Sequence, residues 1–219
     1  MAPRRCQISR FSDGPRHVWK HLKNQGIPGP GGGQISLEMS KVKTGQVTYA
    51  VRDTSLDGFE ITKAADNGML LSGSNNRLER MVFNDNQDTG LQLSRYKTSA
   101  ATIADWPSNN LILNCTSKNN CDNATMENAD GFAAKLTCGE GNVFDGCMSY
   151  NNSDDGWDLF AKSETGPIGV VTIQNCVAFR NGYTEFGEGY GKCDGNGFKL
   201  GGSGVGSAHV VKTAWRSRI

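Results

Sequence analysis

The sequence predicts an all-β fold, a parallel β-helix in which short strands stack coil upon coil. Three observations lead there. A glycine followed by an alternating apolar strand recurs five times, and a second strand line ending in asparagine recurs four times. Glycine is high, at 28 of 219 residues, while hydrophobic residues make up 37%. That mix suits many short strands and turns better than long helices.

The five glycines are Gly68 in NGMLL, Gly90 in TGLQL, Gly131 in DGFAA, Gly156 in DGWDL and Gly197 in NGFKL. The next position holds Met69, Leu91, Phe132, Trp157 and Phe198, and two further on stand Leu71, Leu93, Ala134, Leu159 and Leu200. Both columns are apolar. The position between them varies: Leu70, Gln92, Ala133, Asp158, Lys199. Alternation with period two marks a strand with one buried face. Trp157 and Phe198 therefore belong to the core rather than to an outer binding surface.

The second line reads RMVFNDN (80–86), NCTSKNN (114–120), GCMSYNN (146–152) and NCVAFRN (175–181). Met81, Cys115, Cys147 and Cys176 share one column, spaced by 34, 32 and 29 residues, which leaves room for two or three short strands per repeat. Repeats of this length bury their apolar faces against their neighbours, as a solenoid does. Asn86, Asn120, Asn152 and Asn181 share the turn and are predicted to form a ladder of amide hydrogen bonds. The three aligned cysteines read as small core residues. The seven cysteines form no paired C-x-x-C zinc pattern, and a Cys121–Cys138 disulfide is left open.

Residues 1–57 read as an atypical N-terminal segment. Pro3, Pro15, Pro28, Pro30 and the PGPGGG run mark loop, and RHVWKHLKNQ (16–25) reads as solvated chain rather than an amphipathic helix. The β-helix is assigned to residues 58–211 and an atypical tail to 212–219, so the solenoid is expected to be incomplete at both ends. The start, MAPRRCQISRF, is basic but lacks an apolar core, so no signal peptide is expected. No apolar run reaches the length of a membrane span. Lysine plus arginine (23) balances aspartate plus glutamate (22) at a net charge of +1, which gives no electrostatic reason to expect nucleic acid or a membrane as partner.

Stacking brings the acidic residues together. The column before the glycine reads Asn67, Thr89, Asp130, Asp155, Asn196. Neighbouring strands lie about 4.8 Å apart, so Asp130 and Asp155 are predicted to sit one above the other. Asp154 is adjacent, Asp158 points outward on the following strand, and Lys199 holds the same outward column one coil later. Aspartates beside glycine are common turn formers, but four that map to one place need a counter-charge. Oxygen donors without histidine or thiolate favour Ca²⁺, although DDGWDLFAKSE lacks the order of an EF-hand. Lys199 lies in the glycine-rich GNGFKLGGSG stretch and would act as a general base only when neutral. A cation that absorbs the charge of Asp158 would favour that neutral form.

The segment from about Gly58 to Val211 resembles the polysaccharide lyase family nine pectate lyases. The resemblance rests on NADGFAAK (128–135), GNVFDGCMSYNNSDDGWDLF (141–160), the NC-x-A-x-x-NG line (175–182) and GNGFKLGG (195–202). It implies a right-handed parallel β-helix that cleaves polygalacturonate by β-elimination, secreted and acting as a monomer on an acidic polysaccharide. By the same resemblance Asp130, Asp154, Asp155 and Asp158 bind the calcium ion, and Lys199 is the Brønsted base. Three alternatives stand beside it. One is a β-helical lyase on another uronate polymer. Another is an inverting hydrolase, which would need two carboxylates about a water and no lysine. The third is a truncated, non-catalytic solenoid that binds polysaccharide.

Overall fold

The structure, a computed structural model, describes the backbone of residues 35–38 and 47–49, residue 53, and residues 55–183 and 193–217. Its strands follow a three-beat rhythm. The first coil holds β1 (Ile35–Glu38), β2 (Val47–Tyr49) and β3 (Ser55–Asp57), and the second β4 (Phe59–Thr62), β5 (Met69–Leu71) and β6 (Arg77–Glu79). The third holds β7 (Val82–Asn84), β8 (Leu91–Leu93) and β9 (Leu111–Leu113), and the fourth β10 (Thr116–Lys118), β11 (Phe132–Ala134) and β12 (Asn142–Asp145). The fifth holds β13 (Met148–Tyr150), β14 (Trp157–Asp158) and β15 (Val171–Gln174). The sixth holds β16 (Val177–Phe179), β17 (Phe198–Lys199) and β18 (Val210–Lys212), and β19 (Trp215–Ser217) begins a seventh.

Like strands of successive coils pair in parallel, so three sheets run along the axis: β1-β4-β7-β10-β13-β16-β19, β2-β5-β8-β11-β14-β17 and β3-β6-β9-β12-β15-β18. This is the parallel β-helix. Inward side chains from all three sheets fill one core, including Ile61, Leu71, Phe83, Leu93, Ile112, Phe144 and Ile173. Phe132 and Trp157 stack at 5.0 Å between ring centres, and Trp157 and Phe198 at 4.9 Å. The aromatic column is thus internal. Leu200 differs from its column mates, being 46% exposed. It follows β17, the outermost strand of its sheet, so no described strand covers it.

The glycine column has a steric cause. A Cβ at Gly131 would collide with Ser149 Oγ, and one at Gly156 would lie 2.8 Å from Asn181 Nδ2. The asparagine ladder runs past these glycines as predicted. Asn86 Nδ2 donates to Asn120 Oδ1 at 2.9 Å, Asn120 to Asn152 at 2.8 Å, and Asn152 to Asn181 at 2.9 Å. A second ladder, Asn76 to Asn110 to Asn142, lines another corner at 3.0 and 2.9 Å.

Cys115, Cys147 and Cys176 are buried free thiols in the core. Cys121 and Cys138 are not bridged. Cys138 instead accepts from Asn142 Nδ2 at 3.2 Å, while Cys121 Sγ lies 3.7 Å from Met126 Sδ. The ladders extend beyond residues 58–211 on both sides: β1, β2 and β3 pair with β4, β5 and β6, and β19 pairs with β16. Val47 pairs with Met69, and in the sequence Gln46 rather than a glycine precedes it. The RHVWKHLKNQ segment lies outside the described residues.

Candidate metal and catalytic site

The site is built at the start of β11, β14 and β17, in the sheet formed by the second strand of each coil, hereafter the middle sheet. Gly131 N–H donates to Asp155 O at 2.9 Å and Gly156 N–H to Asn196 O at 2.8 Å, so the column before the glycine stacks in the predicted register. Side chains zip the same column. Asp155 N–H donates to Asp130 Oδ1 at 3.2 Å, and Asn196 N–H donates to Asp155 Oδ1 at 2.7 Å. Asp154 is clamped from two sides, accepting from Asn128 N–H at 2.9 Å and from Asp194 N–H at 2.8 Å. Asp130, Asp154 and Asp155 each present an oxygen within 4.8 Å of the others. All three are buried.

Such crowding has an electrostatic cost. Burial pushes the Asp155 carboxyl up to about 7, and the charges of Asp154 and Asp158 add to this against the pull of Asn196 N–H and Lys199. Burial also raises Asp130 well above the usual carboxylate range, although Lys135 opposes it. Asp155 Oδ2 is buried and accepts no hydrogen bond. A buried carboxylate oxygen that accepts no hydrogen bond, in a group of three converging carboxylates, suits a hard divalent cation.

Asp158 is placed differently from its three partners. It lies on the outward row of β14, yet it is only 5% exposed, so that row is covered here rather than open. Its Oδ1 accepts from Phe160 N–H at 2.9 Å, and its Oδ2 lies 3.2 Å from Lys135 Nζ. The same ammonium donates to Asp130 Oδ2 at 2.6 Å, an oxygen that also accepts from Thr89 Oγ1 at 3.2 Å. Lys135 is 8% exposed. Burial alone would lower its pKa, but Asp130 and Asp158 outweigh that and hold it firmly cationic.

Sequence reasoning missed Lys135 although a signal existed. It stands four positions past Gly131, so alternation puts it on the same face as Ala133. Ala133 pairs with Asp158, and a methyl there leaves Lys135 a path to both aspartates.

Lys199 pairs with Asp158 across β14 and β17. Its Nζ lies 3.4 Å from Asp155 Oδ2 and 2.6 Å from Asp194 Oδ2. The amine therefore reaches the acidic cluster. Burial pulls its pKa down, but the hydrogen bond to Asp194 and the charges of Asp158 and Asp155 raise it above the ordinary lysine value. Asp194 is the second missed participant: its backbone N–H holds Asp154 and its carboxylate holds Lys199. The arrangement can bind a cation and offers an amine beside it whose protonation depends on how much carboxylate charge the cation absorbs.

Comparison with known proteins shows the family of the chain. A family model described as "Pel9A-like, right handed beta helix region" matches residues 26–216. Pectate lyase L of Paenibacillus polymyxa (strain SC2) is 55% identical over 157 residues, covering 72% of this chain and 35% of that relative. Pectate lyase L of Thermoclostridium stercorarium is 44% identical over 209 residues, covering 94% and 16%. A pectate disaccharide-lyase of Dickeya chrysanthemi is 40% identical over 157 residues, covering 72% and 19%. The chain thus spans about a third or less of the length of these curated relatives. The crystal structure of pectate lyase Pel9A superposes with a TM-score of 0.63 at 26% identity, covering 83% of this chain and 52% of that one.

Proposed function

This chain belongs to the Pel9A-like right-handed β-helix family, the family nine polysaccharide lyases, and from that premise we propose that it cleaves polygalacturonate by calcium-dependent β-elimination. The observation that carries the proposal is the amine of Lys199 lying 3.4 Å from one of three converging buried carboxylates. Asp130, Asp154 and Asp155, with Asp158 beside them, would hold the ion. The relatives named pectate lyase support the substrate class.

A calcium ion held by Asp130, Asp154, Asp155 and Asp158 would offset their charge and supply the positive charge that makes the C5 proton of a neighbouring uronate more acidic. The protein's own groups do the rest. Asp194 orients the Lys199 amine, and the fixed backbone of β17 sets its height above the sheet. Lys199 in its neutral form takes the C5 proton. The C5–H electron pair becomes the C4–C5 double bond, the C4–O bond breaks, and the leaving oxygen keeps its electron pair and gains a proton from solvent. Lys135 bridges Asp130 and Asp158 and holds them in place.

The test compares this chain with Lys199→Ala on polygalacturonate, with calcium and with a chelator, read by absorbance of the unsaturated product. Absorbance should rise only for the unmodified chain with calcium present. Equal traces for both proteins overturn the proposal. Alginate or a glycosaminoglycan yielding product where polygalacturonate does not would move the activity to another uronate polymer.

A further inference from the structure

We propose that a groove beside the carboxylate cluster is a binding subsite for a second acidic sugar unit, with Arg95 and Lys162 as the cations that recognise its carboxylate. The proposal rests on the functional reading above and extends it along the polymer. The groove has a volume of about 400 Å³ and lies on the outer face of the middle sheet.

Its position follows from strand register. Gln92, on its floor, pairs with Ala133, which pairs with Asp158, which pairs with Lys199. The groove is therefore two strand spacings from Asp158, about 10 Å along the axis. A sugar seated there is not the one that touches the carboxylates, but an extended chain crossing the sheet reaches both.

Its chemistry fits an acidic sugar. Arg95 and Lys162 both line it, against a single acid, Asp66. Arg95 is fixed in advance: its Nη1 donates to Ala100 O at 2.9 Å, and its backbone N–H donates to Thr137 Oγ1 at 3.1 Å. A planar guanidinium held this way matches a carboxylate better than a mobile amine does. Leu70 and Leu136 supply apolar wall for the C–H face of a sugar ring.

Leu136 adds an independent observation. Its φ is +65°, a conformation costly for a bulky side chain. It is locked there by Thr137 N–H donating to Lys135 O and by its own N–H donating to Phe160 O, both at 2.7 Å. The first bond closes a tight three-residue turn. Such a conformation is retained where the surrounding structure over-determines it, as these two hydrogen bonds do. This one tripeptide sends Lys135 into the carboxylate cluster, Leu136 to the groove wall and Thr137 to Arg95. It ties the two places together.

The test is calorimetric binding of galacturonate dimer and hexamer, with calcium, to the Lys199→Ala protein and to the same protein carrying Arg95→Gln or Lys162→Gln. Lys212→Gln, on β18 of another sheet, controls for loss of one positive charge. Hexamer affinity should fall about tenfold for Arg95→Gln and less for Lys162→Gln, which is about 1.4 kcal/mol for the former. Dimer affinity, melting temperature and the Lys212 control should not change. Hexamer affinity that is unaltered by both groove variants overturns the subsite alone, as does an equal loss for dimer and hexamer. A parent protein that binds no hexamer overturns the functional reading and the subsite with it.

Discussion

Lys135 changes what each surrounding aspartate can do. It bridges Asp130 at 2.6 Å and Asp158 at 3.2 Å in a buried position, so the protein carries a counter-charge of its own. Removing one partner of a buried pair leaves an uncompensated charge, at a cost of about 3–5 kcal/mol. Lys135→Met should lose stability of that order by urea denaturation in chelator, and calcium should restore much of it. An unchanged midpoint in chelator would contradict the assignment. Asp155 supplies a pH dependence. Its carboxyl titrates about 7 in the folded protein rather than at 3.8, so the folded state binds the extra proton. The stability this contributes is complete below about pH 4 and is lost as pH rises through about 7. Measured in chelator, the protein should lose stability relative to Asp155→Asn across that window. A gain across the same window would refute the sign. The acidic residues and Lys199 were legible in the sequence because columns add up across coils. Lys135 was missed although its spacing from Gly131 puts it on the face of Ala133, and Asp194 left no signal, since its ion pair crosses the columns.

The asparagine ladders and the glycines beside them are one device. Asn120 donates to Asn152 while its Oδ1 accepts both the backbone N–H and the Nδ2 of Asn86. Asn120→Ala strands buried donors on Asn86, each costing about 1–3 kcal/mol. The variant should therefore denature at clearly lower urea with an unchanged slope, and an unaltered midpoint would mean that the ladder contributes nothing. Gly131→Ala should be at least as damaging, because Ser149 Oγ and the Gly156 carbonyl leave no room for a methyl. A well-folded Gly131→Ala protein of ordinary melting temperature would contradict the steric account. The first ladder was legible because a cysteine or methionine column runs beside it. The second repeats the spacing of 34 and 32 residues at Asn76, Asn110 and Asn142 but has no such companion. Likewise β2 pairs in register without the glycine that announces β5, β8 and β11, so strand pairing reaches further than the sequence marker does.

Winding converts distant residues into neighbours: positions 130, 155 and 199 are contributed by three successive coils, yet they meet at one end of the middle sheet. The fold class was readable from composition and repeats because a solenoid is periodic, whereas the groove at Arg95 arises from loops of unequal length and leaves no periodic trace. In the proposed mechanism a cation among the aspartates would loosen the hold of Asp155 on Lys199. The most direct measurement is a crystal structure of the chain grown with calcium, with the ion identified by its anomalous signal. One ion should be bound by oxygens of Asp130, Asp154 and Asp155, with the Lys199 amine within reach of a sugar bound there. Anomalous density absent from those three carboxylates at saturating calcium would contradict it.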